Sequence, residues 1–238
     1  METTKKVQEF KTQRERDFFK HMISTSTAYK VWIGFLIFVI ILGGYGYYKQ
    51  LRYGLVITAL RDFTSWGIYI SNFVFFVAIS LVGSLFSSIL KLNNNKWARP
   101  LMRVSEIIAV SAIICAAVII IIDMGRPDRF FYVFTHGRIQ SPIIWDVIII
   151  STYLVISVIL LYLSILPDLA ICRDRLTAIP KWKKMMYRIL ALNWQNHPKQ
   201  VKTLKKLTRL LGVTVLPVAF AIHTVTSWLF ATTWRPGC

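Results

Sequence analysis

The sequence predicts an all-α integral membrane protein with five transmembrane helices, one peripheral span plus an antiparallel four-helix bundle. Of its 238 residues, 55% are hydrophobic, and they occur in long blocks rather than in periodic stripes. Five of these blocks approach or exceed the roughly 18 apolar residues that let a helix cross a bilayer. Short loops between spans two, three and four indicate antiparallel neighbours in a bundle. The spans are predicted near Val31–Tyr48, Trp66–Leu90, Val104–Asp123, Ile143–Leu166 and Leu210–Trp234.

The chain divides by composition into segments of different polarity. The first thirty residues have no apolar stretch and no small-residue cleavage site, so we expect the first span itself to act as the insertion signal. The predicted segments are a cytoplasmic charged tail (1–30), the first transmembrane span (31–48), an outer interfacial segment (49–65) and the four-helix bundle (66–234), with a basic cytoplasmic loop at 168–209.

The positively charged residues are concentrated in the N-terminal tail and in alternate loops. The net charge is +18, yet 22 of the 29 Lys and Arg residues lie in the N-terminal tail and in the loops after spans two and four. The positive-inside rule then places the N-terminus in the cytoplasm and the C-terminus outside a cell inner (cytoplasmic) membrane. We therefore expect these positive charges to interact with the lipid bilayer. We expect no nucleic-acid partner. The basic stretch Pro180–Leu192 predicts an interfacial helix, or alternatively a docking surface for a cytoplasmic partner.

Two aspartates, Asp123 and Asp146, end one apolar block and begin the next. A carboxyl group beside hydrocarbon costs on the order of 3 kcal/mol on insertion scales, so such residues are kept mainly where they bind or relay something. The alternative is structural: Asp123 would pair with Arg126 or Arg129, and Asp146 would lie in the favourable first turn of its helix behind Ser141. The positive-inside rule puts both aspartates on the outer side.

Other polar residues are expected at a similar depth. Asn72 lies about 9 Å into the second span at 1.5 Å per residue, and Tyr153 shares a helix face with Asp146 two turns deeper. A quinol that is oxidised near a membrane surface loses two protons, which a carboxylate at a wet interface can accept, so the set suits a quinone head group. The residues that could converge are Trp66, Asn72, Asp123, Arg126, Asp146 and Tyr153.

His223 is the only histidine inside a predicted span, which makes it a functional candidate or else a packing residue. A bis-histidine haem is therefore not expected, and the three cysteines match no metal or iron-sulfur spacing. Glu106 could open an inward proton path, or could simply pair with Arg103 or a neighbouring helix. In the second span, small residues predict close helix packing. They are Ser80, Gly83, Ser84, Ser87 and Ser88.

Six sequence elements, in order over about residues 51–237, resemble the NrfD-like, polysulfide reductase membrane-subunit family. They are L-R-D-F-T-S-W-G-I-Y-I-S-N-F-V-F-F at Leu60–Phe76, R-V-S-E-I-I-A-V at Arg103–Val110, D-M-G-R-P-D-R at Asp123–Arg129, S-P-I-I-W-D-V-I-I-I-S-T-Y-L at Ser141–Leu154, I-L-P-D-L-A-I-C-R-D-R at Ile165–Arg175 and A-I-H-T-V-T-S-W at Ala221–Trp228. The resemblance implies a haem-free membrane subunit that binds menaquinone or ubiquinone. It also implies an iron-sulfur subunit as partner, with a molybdopterin or multihaem cytochrome subunit, as in alternative complex III.

In that family the quinone site lies in the N-terminal bundle, which carries over onto Asn72, Asp123, Arg126 and Asp146. Members usually continue into a second four-helix bundle, which we expect this chain to lack. The leading hypothesis is a non-autonomous subunit of a quinone-linked oxidoreductase. Its predicted site consists of Asp146, Asp123 and His223 as catalytic residues, Trp66, Asn72, Arg126 and Tyr153 as quinone-binding residues, and no metal.

Two alternatives remain. One is a structural membrane anchor without a working quinone site. The other is a proton-conducting half-module that uses Glu106, His223 and Asp123.

Overall fold

The structure is a computed structural model that describes residues 26–58, 67–93, 96–125, 127–137, 140–175, 181–192 and 194–233. Within these ranges every regular element is helical. Seven α-helices are described: α1 (Thr27–Tyr53), α2 (Ile68–Leu92), α3 (Arg99–Asp123), α4 (Tyr132–Thr135), α5 (Pro142–Arg175), α6 (Lys181–Leu190) and α7 (Pro198–Thr233).

Five of these helices are long and apolar enough to cross a membrane, which confirms the predicted number and order of spans. Four of them are longer than the predicted spans, α5 and α7 by the most. Helix α5 has 34 residues and α7 has 36, which at 1.5 Å per residue is about 50 Å and exceeds a hydrocarbon core of about 30 Å. The prediction took only the apolar part of each helix, whereas the backbone continues as helix through the charged residues beyond it.

Helices α2, α3, α5 and α7 form a closed four-helix bundle. The packed neighbours are α2 with α3, α3 with α5, α5 with α7 and α7 with α2, so α2 and α5 lie on a diagonal. We call the end at which α3 finishes and α5 begins the Asp123 end, and the opposite end, at which α2 finishes and α3 begins, the Lys91 end. The buried core of the bundle consists of Phe73, Val77, Leu81, Ile113, Ala116, Ile150, Tyr153, Val215 and Ile222.

Small residues on α2 allow its close contact with α3, as predicted. Ser80, Ser84, Ser87 and Ser88 are all buried. At Gly83, a Cβ atom would lie 2.9 Å from the carbonyl oxygen of Ser105, so the backbones approach closely there. The absence of a side chain at this position therefore sets the distance between the two helices.

Helix α1 stands apart from the bundle. Its apolar 18-residue window has no buried residue, and Gln50 is the one buried side chain on the helix. Gln50 donates from Nε2 to the carbonyl oxygen of Ile122 at 2.9 Å and accepts at Oε1 from the hydroxyl of Tyr69 at 2.7 Å. The first span is thus peripheral, as predicted, and is attached at the Asp123 end.

Helix α6 confirms that the predicted basic stretch is helical. Trp182, Met185 and Ile189, at positions i, i+3 and i+7, are all exposed, which is the spacing of an apolar stripe on one face. Just after α6, Ala191 and Trp194 are buried against the charged extension of α5. The predicted position of α6 at the membrane surface stays a prediction.

Candidate functional site

Asp146 lies in the second turn of α5 and points into the bundle. Only 6% of the residue is exposed. Its Oδ1 accepts a hydrogen bond of 2.8 Å from the hydroxyl of Thr226 on α7, which is also buried. Among the described residues Thr226 is the one hydrogen-bond partner of Asp146, so Oδ2 can accept a further hydrogen bond. A buried carboxylate with one hydroxyl partner is well suited to exchange a proton with a ligand.

Asp123 is the last residue of α3 and is half-buried. Gly125, two residues on, has a φ of 65°, a conformation that favours glycine and turns the chain out of the helix. A carboxylate at a helix C-terminus faces the negative pole of the helix dipole, so Asp123 gains nothing from this position. The described residues include no hydrogen-bond partner for it, and Arg126 and the Arg129 side chain lie outside them.

Tyr153 is fully buried two turns deeper on α5 and connects three helices. Its hydroxyl donates to the carbonyl oxygen of Ser80 at 3.0 Å and lies 2.6 Å from the hydroxyl of Ser84. The hydroxyl of Ser80 in turn donates to the carbonyl oxygen of Ala109 on α3 at 2.7 Å. The phenol therefore spans the diagonal of the bundle and is engaged with protein atoms. Its predicted role in quinone binding stays a prediction.

Two candidates do not join this group. Asn72 and His223 are both exposed on this chain, so the predicted convergence of Asn72 with Tyr153 is not seen. Each is adjacent to a core residue, Phe73 and Ile222, and successive helical residues point about 100° apart. The sequence did not predict the direction in which these two side chains point around their helices. Trp66 lies outside the described residues, and the roles of all three stay predictions.

Glu106 takes part in a buried ion pair with a neighbouring helix at the Lys91 end, which was one of its two predicted structural pairings, although Lys91 was not named as the partner. Its Oε1 pairs with Nζ of Lys91 and accepts a 2.9 Å hydrogen bond from Ser87. Arg103, which we expected as a possible partner of Glu106, pairs instead with Asp168 on α5. The sequence did contain a signal for this pair, because Lys91 and Glu106 lie at corresponding ends of two consecutive spans.

The described residues contain no group of three or more His, Cys, Asp or Glu side chains that could hold a metal ion. They do fit a quinone in one respect, since Oδ2 of Asp146 can accept a hydrogen bond from a ligand hydroxyl. The described part of the chain is thus a multi-pass membrane protein whose bundle carries a buried carboxylate and hydroxyl pair near one end.

The chain belongs to the family described as Polysulphide reductase, NrfD, whose model matches residues 56–236. This match confirms the resemblance predicted from the sequence.

Relatives of known name are similar over most of this chain. A putative membrane subunit of dimethyl sulfoxide reductase from Halobacterium salinarum is 32% identical over 209 residues, covering 88% of this chain and 45% of the relative. A selenate reductase subunit from Mesobacillus selenatarsenatis is 23% identical over 207 residues, which cover 84% and 48%. The integral membrane subunit of menaquinone reductase from Nitratidesulfovibrio vulgaris is 24% identical over 134 residues, which cover 55% and 31%. The chain thus spans less than half the length of these relatives.

Proposed function

We propose that this chain is a quinone-binding membrane anchor subunit of a respiratory oxidoreductase. It exchanges electrons between the menaquinone or ubiquinone pool and an iron-sulfur partner on the outer face, with proton uptake or release. Its family membership supports this role, as do relatives named as membrane subunits of dimethyl sulfoxide reductase and menaquinone reductase. The complex also includes a molybdopterin or multihaem cytochrome subunit, and the membrane is the cytoplasmic one with the N-terminus inside.

The observation that carries the proposal is the environment of Asp146. A bound quinone supplies two-electron chemistry coupled to two protons. The chain supplies a carboxylate that Thr226 orients through Oδ1, so that Oδ2 can hold a proton at the ligand. Asp123, half-buried at the same end, relays the proton to the aqueous surface. The proposed quinone-binding residues are Trp66, Asn72, Arg126 and Tyr153, and His223 is proposed as a further proton carrier. Of these, Asn72 and His223 are exposed on this chain rather than buried with Asp146.

The test is Asp146→Asn in the assembled complex. Asparagine keeps the size of the side chain and can still accept a hydrogen bond from Thr226, but it cannot take up a proton. Quinol-linked turnover should fall at least about 100-fold, the lower bound for losing a general base, while assembly is unchanged. Asp128→Asn, at an exposed carboxylate in the connection between α3 and α5, is the matched control and should leave turnover unchanged. Full turnover in an assembled Asp146→Asn complex would remove the proposed role.

The same hydrogen bond also favours a second function, that of a structural anchor without a working quinone site. Asp146 would then serve only to join α5 to α7 through Thr226. Under this hypothesis Thr226→Val lowers the yield of the complex, and Asp146→Asn, which keeps an acceptor, leaves both yield and turnover intact. Under the quinone proposal Thr226→Val lowers turnover less than Asp146→Asn does, because the carboxylate remains.

A further inference from the structure

A cavity of about 1030 Å³ opens at the Lys91 end of the bundle, far from Asp146. All four bundle helices contribute to its lining, α2 and α3 through the residues around their shared turn and α7 through its basic first third. Such a volume is at the upper end of what small-molecule pockets enclose. Nothing in the proposed quinone chemistry uses this cavity.

The lining of the cavity is strongly cationic. It includes seven basic side chains and one acidic side chain, Glu106. Two of the seven are already compensated, because Lys91 pairs with Glu106 and Arg103 pairs with Asp168. Five basic side chains have no carboxylate partner among the described residues. They are Arg99, Lys202, Lys205, Lys206 and Arg209.

Charge concentrated in this way is unfavourable for the protein alone. Four of the five cations lie on α7, and each has another of them three or four residues away, where like charges repel. A bound anion would relieve this repulsion. The local excess of five positive charges therefore indicates a ligand with at least one negative group.

The cavity also has an apolar wall, contributed by Leu90, Leu163, Leu210 and Val213. Helix α7 changes from basic to apolar between Arg209 and Leu210, so the cations end where the apolar wall begins. Such a change from basic to apolar matches the boundary between the head groups of a bilayer and its hydrocarbon. A ligand that fits both parts has an anionic head and a hydrocarbon tail.

We propose that this cavity is a binding site for one anionic phospholipid of the membrane. The phosphate lies between Arg99 of α3 and the cations of α7, and the acyl chains lie along Leu163, Leu210 and Val213. Basic pockets between transmembrane helices bind anionic lipid head groups for this reason. The bound lipid fills the gap between helices α3 and α7, which are not direct neighbours in the bundle.

The test is lipid binding to the purified full chain in a neutral detergent, followed by native mass spectrometry. The probes are dioctanoyl phosphatidylglycerol, which is anionic, and dioctanoyl phosphatidylcholine, which has the same tails and no net charge. We expect the anionic lipid to bind at least about tenfold more tightly, with affinity falling as salt is raised. The variant Arg99→Gln/Arg209→Gln should weaken its binding about 25-fold, at roughly fivefold for each cation.

The matched control is Lys184→Gln/Arg188→Gln, which removes two exposed cations from α6, away from the cavity. It should bind the anionic lipid like the unaltered chain. Equal binding of the two lipids, or equal loss in the two double variants, would overturn the proposal. Inorganic phosphate is the last arm, because displacement of the lipid by millimolar phosphate would identify a soluble anion site instead.

Discussion

The hydroxyl of Tyr153 is a fully buried polar group whose bonds reach across the diagonal of the bundle to Ser80 and Ser84. Its removal leaves buried serine groups without their partner in a medium that offers no water. We expect Tyr153→Phe to lower the free energy of unfolding by about 1 to 2 kcal/mol. Equilibrium unfolding in mixed sodium dodecyl sulfate and dodecyl maltoside micelles measures this change.

Tyr162 provides the control for that measurement. Its hydroxyl also donates to a backbone carbonyl, that of Leu190 at 2.7 Å, but the bond is exposed. Water can replace the lost partner there, so Tyr162→Phe should change the free energy of unfolding by less than about 0.5 kcal/mol. A loss at Tyr153 no larger than the loss at Tyr162 would show that burial adds no stability to these hydrogen bonds.

The pair of Lys91 and Glu106 leads to a second prediction about single side chains. Only 11% of the Lys91 side chain and 3% of the Glu106 side chain are exposed. Removal of one partner of a buried ion pair leaves an uncompensated charge, so Lys91→Met should cost about 3 kcal/mol of the free energy of unfolding. Because the double variant Lys91→Met/Glu106→Gln removes both charges, it should recover most of this loss. A double-mutant cycle measures the coupling, and additive losses would contradict the pairing.

The contact between α2 and α3 depends on the missing side chain at Gly83. A Cβ atom there would meet the Ser105 carbonyl oxygen at 2.9 Å and the Ala109 Cβ at 3.1 Å, both on rigid helix. We expect Gly83→Ala to lower the free energy of unfolding by about 1 to 3 kcal/mol, because the helices must move apart. Gly44→Ala on α1 is the control, since nothing lies within 4 Å of a Cβ there. With no clash to oppose its better helix propensity, this control should be neutral or stabilising by up to about 1 kcal/mol. An unchanged free energy of unfolding in Gly83→Ala would show that the contact between α2 and α3 can accommodate a Cβ atom.

The number, order and membrane-spanning character of the long helices could be predicted because hydropathy depends on composition alone. The C-terminal end of α5 and the N-terminal end of α7 could not be predicted in this way. Hydropathy falls at Asp168 and rises only at Leu210, whereas both helices continue through the charged residues between these positions. For Asn72 and His223, the sequence did not show which side of the helix faces the bundle. An apolar block that is hydrophobic all round gives no periodicity from which the inward face can be read.

Asp146 shows the same limit at the level of the site. The inward direction of Asp146 was predictable from the cost of facing lipid, and the structure agrees. Its partner Thr226 is 80 residues away in sequence and could not be predicted, because no local pattern links the two. Pairings between helices depend on how the bundle closes, and single spans do not encode that.

In the described part of the chain, helix α1 is only loosely attached to the closed four-helix bundle. Helix α1 has no buried side chain other than Gln50, whose amide bridges Ile122 on α3 and Tyr69 on α2. In a bilayer the rest of α1 can rest against lipid at no cost, so the amide is its main specific link to the bundle. We expect Gln50→Ala to release the end of α1 while the free energy of unfolding of the bundle changes by less than about 1 kcal/mol.

Electron-electron double resonance can detect this release, with nitroxides at Tyr53→Cys on α1 and Ile68→Cys on α2 after the native cysteines are replaced by serine. Both labelled positions are exposed, so the labels should not disturb packing. The distance distribution between the labels should be narrow in the parent and broad in Gln50→Ala. Gln200→Ala is the control of the same residue type, because its Oε1 accepts local backbone hydrogen bonds at the start of α7. An unchanged distribution in Gln50→Ala would mean that lipid or a partner protein, rather than this amide, holds α1 in place.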